Sequence, residues 1–239
     1  YKNVLACRMH RFELDRHYDE IQWKNIDSVL FISEAMERKF HAKGDYKGKT
    51  FVTYDNLNFE DFPLAHRKKT MQIGMLGNIE PRKGVLEFVE YFGEMKLPEI
   101  KLSIAGKAKD ELYSGKIKRY IIENNLEHKI TIEGYVKDLN NWYKSNDCIV
   151  SNSVHEGTQT SIVEGVATGC WAISKDWDGA EEIVDEKGLF TNVSELEKCI
   201  NLFYEWNDEE RNKNIKKARE KLISKLTNRP KMHDIISKL

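Results

Sequence analysis

A chain of 239 residues with 40% hydrophobic side chains can bury a sizeable core, and no apolar run approaches the ~20 residues that a membrane-spanning helix needs. A formal net charge of −1 excludes a general electrostatic pull toward nucleic acid. Cys7, Cys148, Cys170 and Cys199 lie far apart, which fits reduced thiols in the cytoplasm, and the histidines make no metal-ligand spacing, so no bound metal is implied.

Residues 4–7 read as a strand that runs into His10, residues 29–33 as a second strand with Ser33 placed to cap a helix, and residues 51–56 as a third. Two or three strands are too few to bury a sheet independently. The next apolar strand, around Ile73, enters a glycine turn at Gly77, and the cations Arg82 and Lys83 follow before an amphipathic helix over 85–92. Lys83 supplies a mobile point charge and Arg82 a planar fork of donors, the two usual ways to compensate a diphosphate. An ordinary solvated turn with a basic edge would look the same.

Strand and helix then alternate with little spare length. Residues 101–105 read as a buried strand closed by Gly106, 112–122 as a helix, 129–133 as a strand closed by Gly134, 139–143 as a short helix and 148–150 as a strand. The polar turn of Thr158, Gln159, Thr160 and Ser161 leads into the apolar run Ile162, Val163, Val166 and Ala167, so a helix is expected to start near Thr160. Its first amides, at Thr160 and Ser161, point unpaired donors and a positive dipole end past Gly157, where a diphosphate would fit. Glu164, one turn in, is placed to accept hydrogen bonds from a vicinal diol such as ribose, and Glu156 faces the far end of the same ligand. Two glutamates eight positions apart also suit a plain solvated helix face.

A strand over 170–174, a loop over 176–179 and a helix near 180–184 complete the alternation, which predicts a parallel sheet covered on both faces. Ligands in such sheets bind beyond the carboxyl ends of the strands, where Gly77, Gly106, Gly134, Glu156 and the 176–179 loop all fall. No Gly-x-Gly-x-x-Gly and no Gly-x4-Gly-Lys-Ser/Thr occurs, against a dinucleotide oxidoreductase and a P-loop enzyme. Beyond these, Ile215, Ala218, Leu222 and Leu226 share a helical face among lysines, and Met232, Ile235, Ile236 and Leu239 are spaced helically after Pro230.

Glu156-Gly157, Glu164-Gly165 and the small run ending in Gly169 together resemble the Glu-x7-Glu motif of the retaining glycosyltransferases of group 1, family 4, and Lys83-Gly84 resembles the phosphate-gripping turn of the same family. Asn78 stands where that family usually has arginine, which leaves Arg82 as its substitute or the diphosphate one cation short. Gly134, Tyr135 and Val136 resemble the turn that touches the nucleotide base, and the resemblance carries a base contact to Val136. Ser33-Glu34 and Asn56 to Asn58 resemble the end of the N-terminal domain in the same enzymes.

The resemblance implies an α/β protein of GT-B type: a Rossmann-like parallel-sheet donor domain over 61–225, the last part of a second Rossmann-like, acceptor-side domain over 1–60, and a C-terminal helix over 226–239. About 100 or more residues of the acceptor-side domain are then expected to precede Tyr1, and the first strand is expected to present a sheet edge. The basic C-terminal helix either packs back onto the first domain, the preferred reading, or lies on an anionic membrane.

The implied reaction is transfer of a hexose from a UDP- or GDP-linked donor to an acceptor hydroxyl with retention, without a metal or other cofactor, in glycan or cell-surface polysaccharide synthesis. The acceptor would be a glycan, a lipid-linked molecule or a protein, and the place the cytoplasm, including the inner face of the membrane. Lys83, Arg82, Asn78, Gly77, Thr160 and Ser161 would hold the diphosphate, Glu164 the ribose and Gly157 with Thr158 the sugar. Glu156 would stabilise the anomeric centre, and His10 would contact the sugar or assist a proton transfer. Two other readings stand beside this one: a nucleotide-binding scaffold without catalysis, and a sugar-nucleotide epimerase of the same architecture.

Overall fold

The computed structural model describes residues 4–55, 57–65, 68–97, 99–229 and 232–236. In chain order the elements are β1 (Ala6–Met9), α1 (Arg11–Arg16), β2 (Ser28–Phe31), α2 (Glu34–Lys43), β3 (Lys49–Val52), β4 (Gln72–Leu76), α3 (Val85–Glu94), β5 (Lys101–Ala105), α4 (Glu111–Glu123), β6 (Ile130–Gly134) and α5 (Leu139–Lys144). They continue with β7 (Cys148–Ser151), α6 (Thr160–Thr168), β8 (Trp171–Lys175), β9 (Leu189–Phe190), α7 (Val193–Glu205), α8 (Asp208–Thr227) and α9 (Met232–Ile236).

The strands form two wholly parallel sheets, one of order β1-β2-β3 and one of order β6-β5-β4-β7-β8-β9. In the larger sheet the chain steps outward from β4 through β5 to β6, then returns to the other side of β4 for β7, β8 and β9. The order therefore reverses between β4 and β7, and a crevice opens at their carboxyl ends.

Alternation along each central strand feeds two cores. Ile73, Leu102, Ile104, Cys148, Val150 and Ile173 join Phe88, Phe92, Ile117, Leu196 and Phe203 on one face, whereas Ala105, Ile149 and Ala172 join Trp142, Tyr143, Ile162, Val166 and Leu222 on the other. Burial on both faces is why these strands read as nearly continuous apolar runs. The smaller sheet packs Met9, Val29 and Phe31 against Leu14, Met36 and Phe40.

The strands of the first sheet differ from the expected segments. β1 starts two residues later than expected, and β3 ends at Val52, where a last ladder bond runs from the Thr53 amide to the Phe31 carbonyl at 2.7 Å. Asn56 lies outside the described residues. Ser33 caps α2, its hydroxyl accepting from the Met36 amide at 3.2 Å, and β1 forms an edge of its sheet.

Three further differences lie in the second half. The helix expected near 180–184 is a single 3-10 turn, Ala180–Glu182, because Glu182 turns its carboxylate away to cap α2 and Asp185 opens a new turn at Glu186–Gly188. β9 and α7 follow without a counterpart in the sequence reading. α8 continues past residue 226 to Thr227, and its basic residues are engaged with protein: Arg219 donates to the Ala167 carbonyl at 2.7 Å and Lys225 lies 3.3 Å from Glu34, while Arg229, just beyond the helix end, also pairs with Glu34. Leu239 lies outside the described residues. No described helix is long and apolar enough to cross a membrane.

Candidate functional site

The turns after β4, β5 and β6 form one tier at the carboxyl edge of the sheet. The Gly77 amide donates to the Ala105 carbonyl at 3.0 Å and the Gly106 amide to the Gly134 carbonyl at 2.7 Å. Gly106 sits at φ 144°, and a Cβ there would fall 1.7 Å from the Gly77 carbonyl oxygen, so the close approach of these turns requires glycine. Asn78 is exposed on this tier, and Val136 is half-buried beside the second core.

The cation turn is held just as tightly. After Pro81–Lys83, Gly84 adopts φ 60°, and a Cβ on it would meet the Asn152 carbonyl at 2.6 Å. The Asn152 side chain donates back to the Gly84 carbonyl at 2.9 Å. This clasp joins the end of β4 to the end of β7, at the reversal of strand order, and carries Lys83 and Arg82 to Glu156. Lys83 Nζ lies 2.5 Å from Glu156 Oε1 and Arg82 Nη1 3.0 Å from Oε2, while Arg82 Nη2 also reaches Glu80 at 3.0 Å. Burial would raise the Glu156 pKa, but the Lys83 and Arg82 charges outweigh it and hold the carboxyl below the usual glutamate range.

α6 begins at Thr160, as its polar entry predicts. Gln159 takes the N-cap position without a side-chain cap, and among the described residues the amides of Thr160 and Ser161 meet no acceptor. Glu164 lies one turn in, half-buried, and accepts the Tyr143 hydroxyl at 2.7 Å. Burial raises its pKa, and the Tyr143 bond opposes that rise without cancelling it. The two glutamates thus have opposite electrostatics: one paired with cations, the other met by a neutral hydroxyl.

Gly157 and Thr158 are drawn toward the smaller sheet. A Cβ on Gly157 would stand 2.5 Å from Ile32 Cδ1, and the Thr158 hydroxyl donates to the Ile32 carbonyl at 2.9 Å. Arg11 Nη1 donates to the Glu156 carbonyl at 3.0 Å, which places the exposed His10, one residue earlier, at the rim of the same crevice. The His10 amide donates to Glu13 and so opens α1. Trp177 is buried in the second core.

The structure therefore brings Lys83, Arg82, Glu156 and the start of α6 together at one crevice, with Gly77 and Asn78 on its wall. Glu164 stands deeper along α6, beside the core. Arg11, Tyr143, Asn152 and Glu182 were not legible in the sequence; each acts through a contact between distant segments, 145 positions apart for Arg11 and Glu156. Among the described residues no group of three or more His, Cys, Asp or Glu side chains could hold a metal ion. The site as built offers two cations and two free amides for an anion, and a carboxylate backed by a phenol for hydroxyl groups.

The family model for glycosyl transferases group 1 matches residues 58–221. The poly(glycerol-phosphate) alpha-glucosyltransferase of Bacillus subtilis (strain 168) is 25% identical over 190 residues, covering 74% of this chain and 27% of that protein. A UDP-Gal:alpha-D-GlcNAc-diphosphoundecaprenol alpha-1,3-galactosyltransferase of Escherichia coli is 26% identical over 168 residues, covering 67% and 43%. The chain thus spans less than half the length of these relatives. Among solved structures, HepE from Anabaena in complex with UDP and glucose superposes with a TM-score of 0.80 at 17% identity, over 99% of this chain and 72% of that one. TarM superposes with a TM-score of 0.81 at 19% identity, over 98% and 49%. The fold, two parallel-sheet units facing a crevice, is that of GT-B glycosyltransferases.

Proposed function

The chain belongs to the glycosyl transferases group 1 family, and from that premise we propose that it carries the donor site of an enzyme that moves a hexose from a UDP-linked donor to an acceptor hydroxyl with retention. The observation that carries this reading is the meeting of Lys83, Arg82 and Glu156 in front of the α6 amino terminus, at the strand-order reversal. UDP is preferred to GDP because HepE was solved with UDP and glucose. Residues 61–225 would form the donor domain, 1–60 the last part of the acceptor-side domain, and 226–239 a C-terminal segment, entered by the end of α8.

Lys83 and Arg82 would turn from Glu156 to the diphosphate and, with the Thr160 and Ser161 amides, neutralise charge that develops on the leaving group. Gly77 and Asn78 would line the phosphates, Glu164 would accept from the ribose and the Val136 turn would meet the base. Released from its cations, Glu156 would face the positive character at the anomeric carbon, beside Gly157 and Thr158. His10 would approach the sugar from the acceptor side. The relatives are named for a poly(glycerol-phosphate) and for a diphosphoundecaprenol-linked GlcNAc, which supports a polyol phosphate chain or a lipid-linked sugar as acceptor; a role in cell-surface polymer synthesis at the cytoplasmic face of the membrane would follow from such an acceptor.

The test is incubation of the complete protein with UDP-hexose and a glycerol phosphate oligomer or a lipid-linked sugar, followed by NMR of the product's anomeric linkage. An α-linked product from an α-donor supports the reading. Free or epimerised sugar without acceptor would point to an epimerase, and tight UDP binding with no product would point to a scaffold.

A further inference from the structure

We propose that Tyr143 is a positioning residue for nucleotide recognition: its hydroxyl pins one oxygen of Glu164 so that the other is presented to the vicinal hydroxyls of a ribose. The inference rests on the ribose role proposed above for Glu164.

The geometry of the pair supports it. Tyr143 is 0% exposed, and its ring is set edge-on to Trp142 and Phe62, with centroids 5.4 and 6.3 Å away. Such packing leaves the phenol one orientation, and in it the hydroxyl donates to Glu164 Oε2 at 2.7 Å. Burial and the neighbouring carboxylate push the phenol pKa far up, so it stays a donor at every working pH.

The chemistry of Glu164 then selects its ligand. Among the described residues Tyr143 is the only donor to its carboxylate, and no cation pairs with it. A carboxylate without a cation repels phosphate and suits neutral hydroxyl donors, two of which a ribose offers side by side. Without the phenol, the carboxylate would swing among rotamers and would have to be ordered by each arriving nucleotide. Tyr143 lies on α5, directly after the turn that carries Val136, so one short segment would set both the base contact and the ribose acceptor.

Calorimetric titration with UDP and with 2′,3′-dideoxy-UDP, on the unaltered chain, Tyr143→Phe and Glu164→Gln, tests this. Tyr143→Phe keeps the ring and its packing, and the melting temperature of each variant shows whether it folds. The unaltered chain should prefer UDP by about tenfold or more, and Tyr143→Phe should lose most of that preference by weakening UDP alone, as expected for a charge-assisted hydrogen bond. A retained preference in Tyr143→Phe, or an equal loss for both nucleotides, would overturn the positioning role. An unaltered chain that does not distinguish the two nucleotides would instead remove the ribose role of Glu164, and the proposal with it. Glu164→Gln keeps Tyr143 in place and should show the same loss of preference from the other side of the bond.

Discussion

Glu156 is held by the two cations that a diphosphate would need, and this makes opposite expectations for two single changes. Lys83→Ala removes a charge-assisted contact worth about 1.5–3 kcal/mol, so UDP should bind at least tenfold more weakly. Glu156→Gln frees Lys83 and Arg82 from a competing carboxylate, so UDP should bind as well or better while transfer falls about a hundredfold, the usual scale for losing one electrostatic stabiliser of the transition state. Titration calorimetry beside a transfer assay separates the two. The pKa shifts add a pH signature. The Glu164 pKa is raised, so UDP affinity should fall as pH drops through that raised value, and Glu164→Gln should abolish this acid limb. For stability the signs differ between the two glutamates. The depressed Glu156 pKa contributes stability that is present above the ordinary glutamate range and is lost as pH falls through the folded value. The folded state holds the Glu164 proton longer than the unfolded chain does, so that group's contribution declines as pH rises through its window. Melting curves between pH 3 and 6, on the order of the carboxylate range, should be less acid-sensitive in Glu156→Gln.

Between elements, close backbone approach and one buried carboxylate decide the geometry. α6 lies on β7 through Gly165, where a Cβ would stand 2.7 Å from Ile149 Cγ2. Gly165→Ala should therefore cost about 1–3 kcal/mol through overpacking and weaken UDP binding by tilting the helix. Gly106→Ala should be worse, since the Gly77 carbonyl cannot yield as a side chain can. Glu182 crosses between the two sheet units: it accepts the Glu34 and Ala35 amides at 3.0 and 2.8 Å and the Tyr54 hydroxyl at 2.6 Å. Glu182→Ala leaves these donors unpaired, at a cost of about 1–3 kcal/mol for each one that stays buried, and should lower the melting temperature by at least about 4 °C. The sheet strands and the start of α6 were legible because strands buried on both faces read as apolar runs closed by glycine, and because polar residues precede Ile162. The turn at Glu182 was not, since Glu182-Ile183-Val184 has the local look of a helix and only the distant α2 terminus draws the carboxylate out of it. The cation turn could be read as a phosphate grip, but its pairing with Glu156 across 73 positions could not.

At the scale of the molecule, β1, β2 and β3 with α2 form one wall and the six-stranded sheet the other, and Arg11, Ile32, Thr158, Glu182 and Lys225 make contacts that join them. Because each wall contributes to that junction, breaking it should loosen the acceptor side without destroying the donor side, whose residues all come from the larger unit. The proposed function requires that this larger unit bind a nucleoside diphosphate at the reversal between β4 and β7. Thermal unfolding of the 239-residue chain with UDP, GDP and their sugars, beside Glu164→Ala and Lys83→Ala, tests it most directly. A ligand at a hundred times its dissociation constant adds about 2.7 kcal/mol, a shift of roughly 5–11 °C for a chain of this size. A UDP-selective shift that is reduced in both variants is expected. No shift with any nucleotide, or a shift that both variants retain in full, would contradict it.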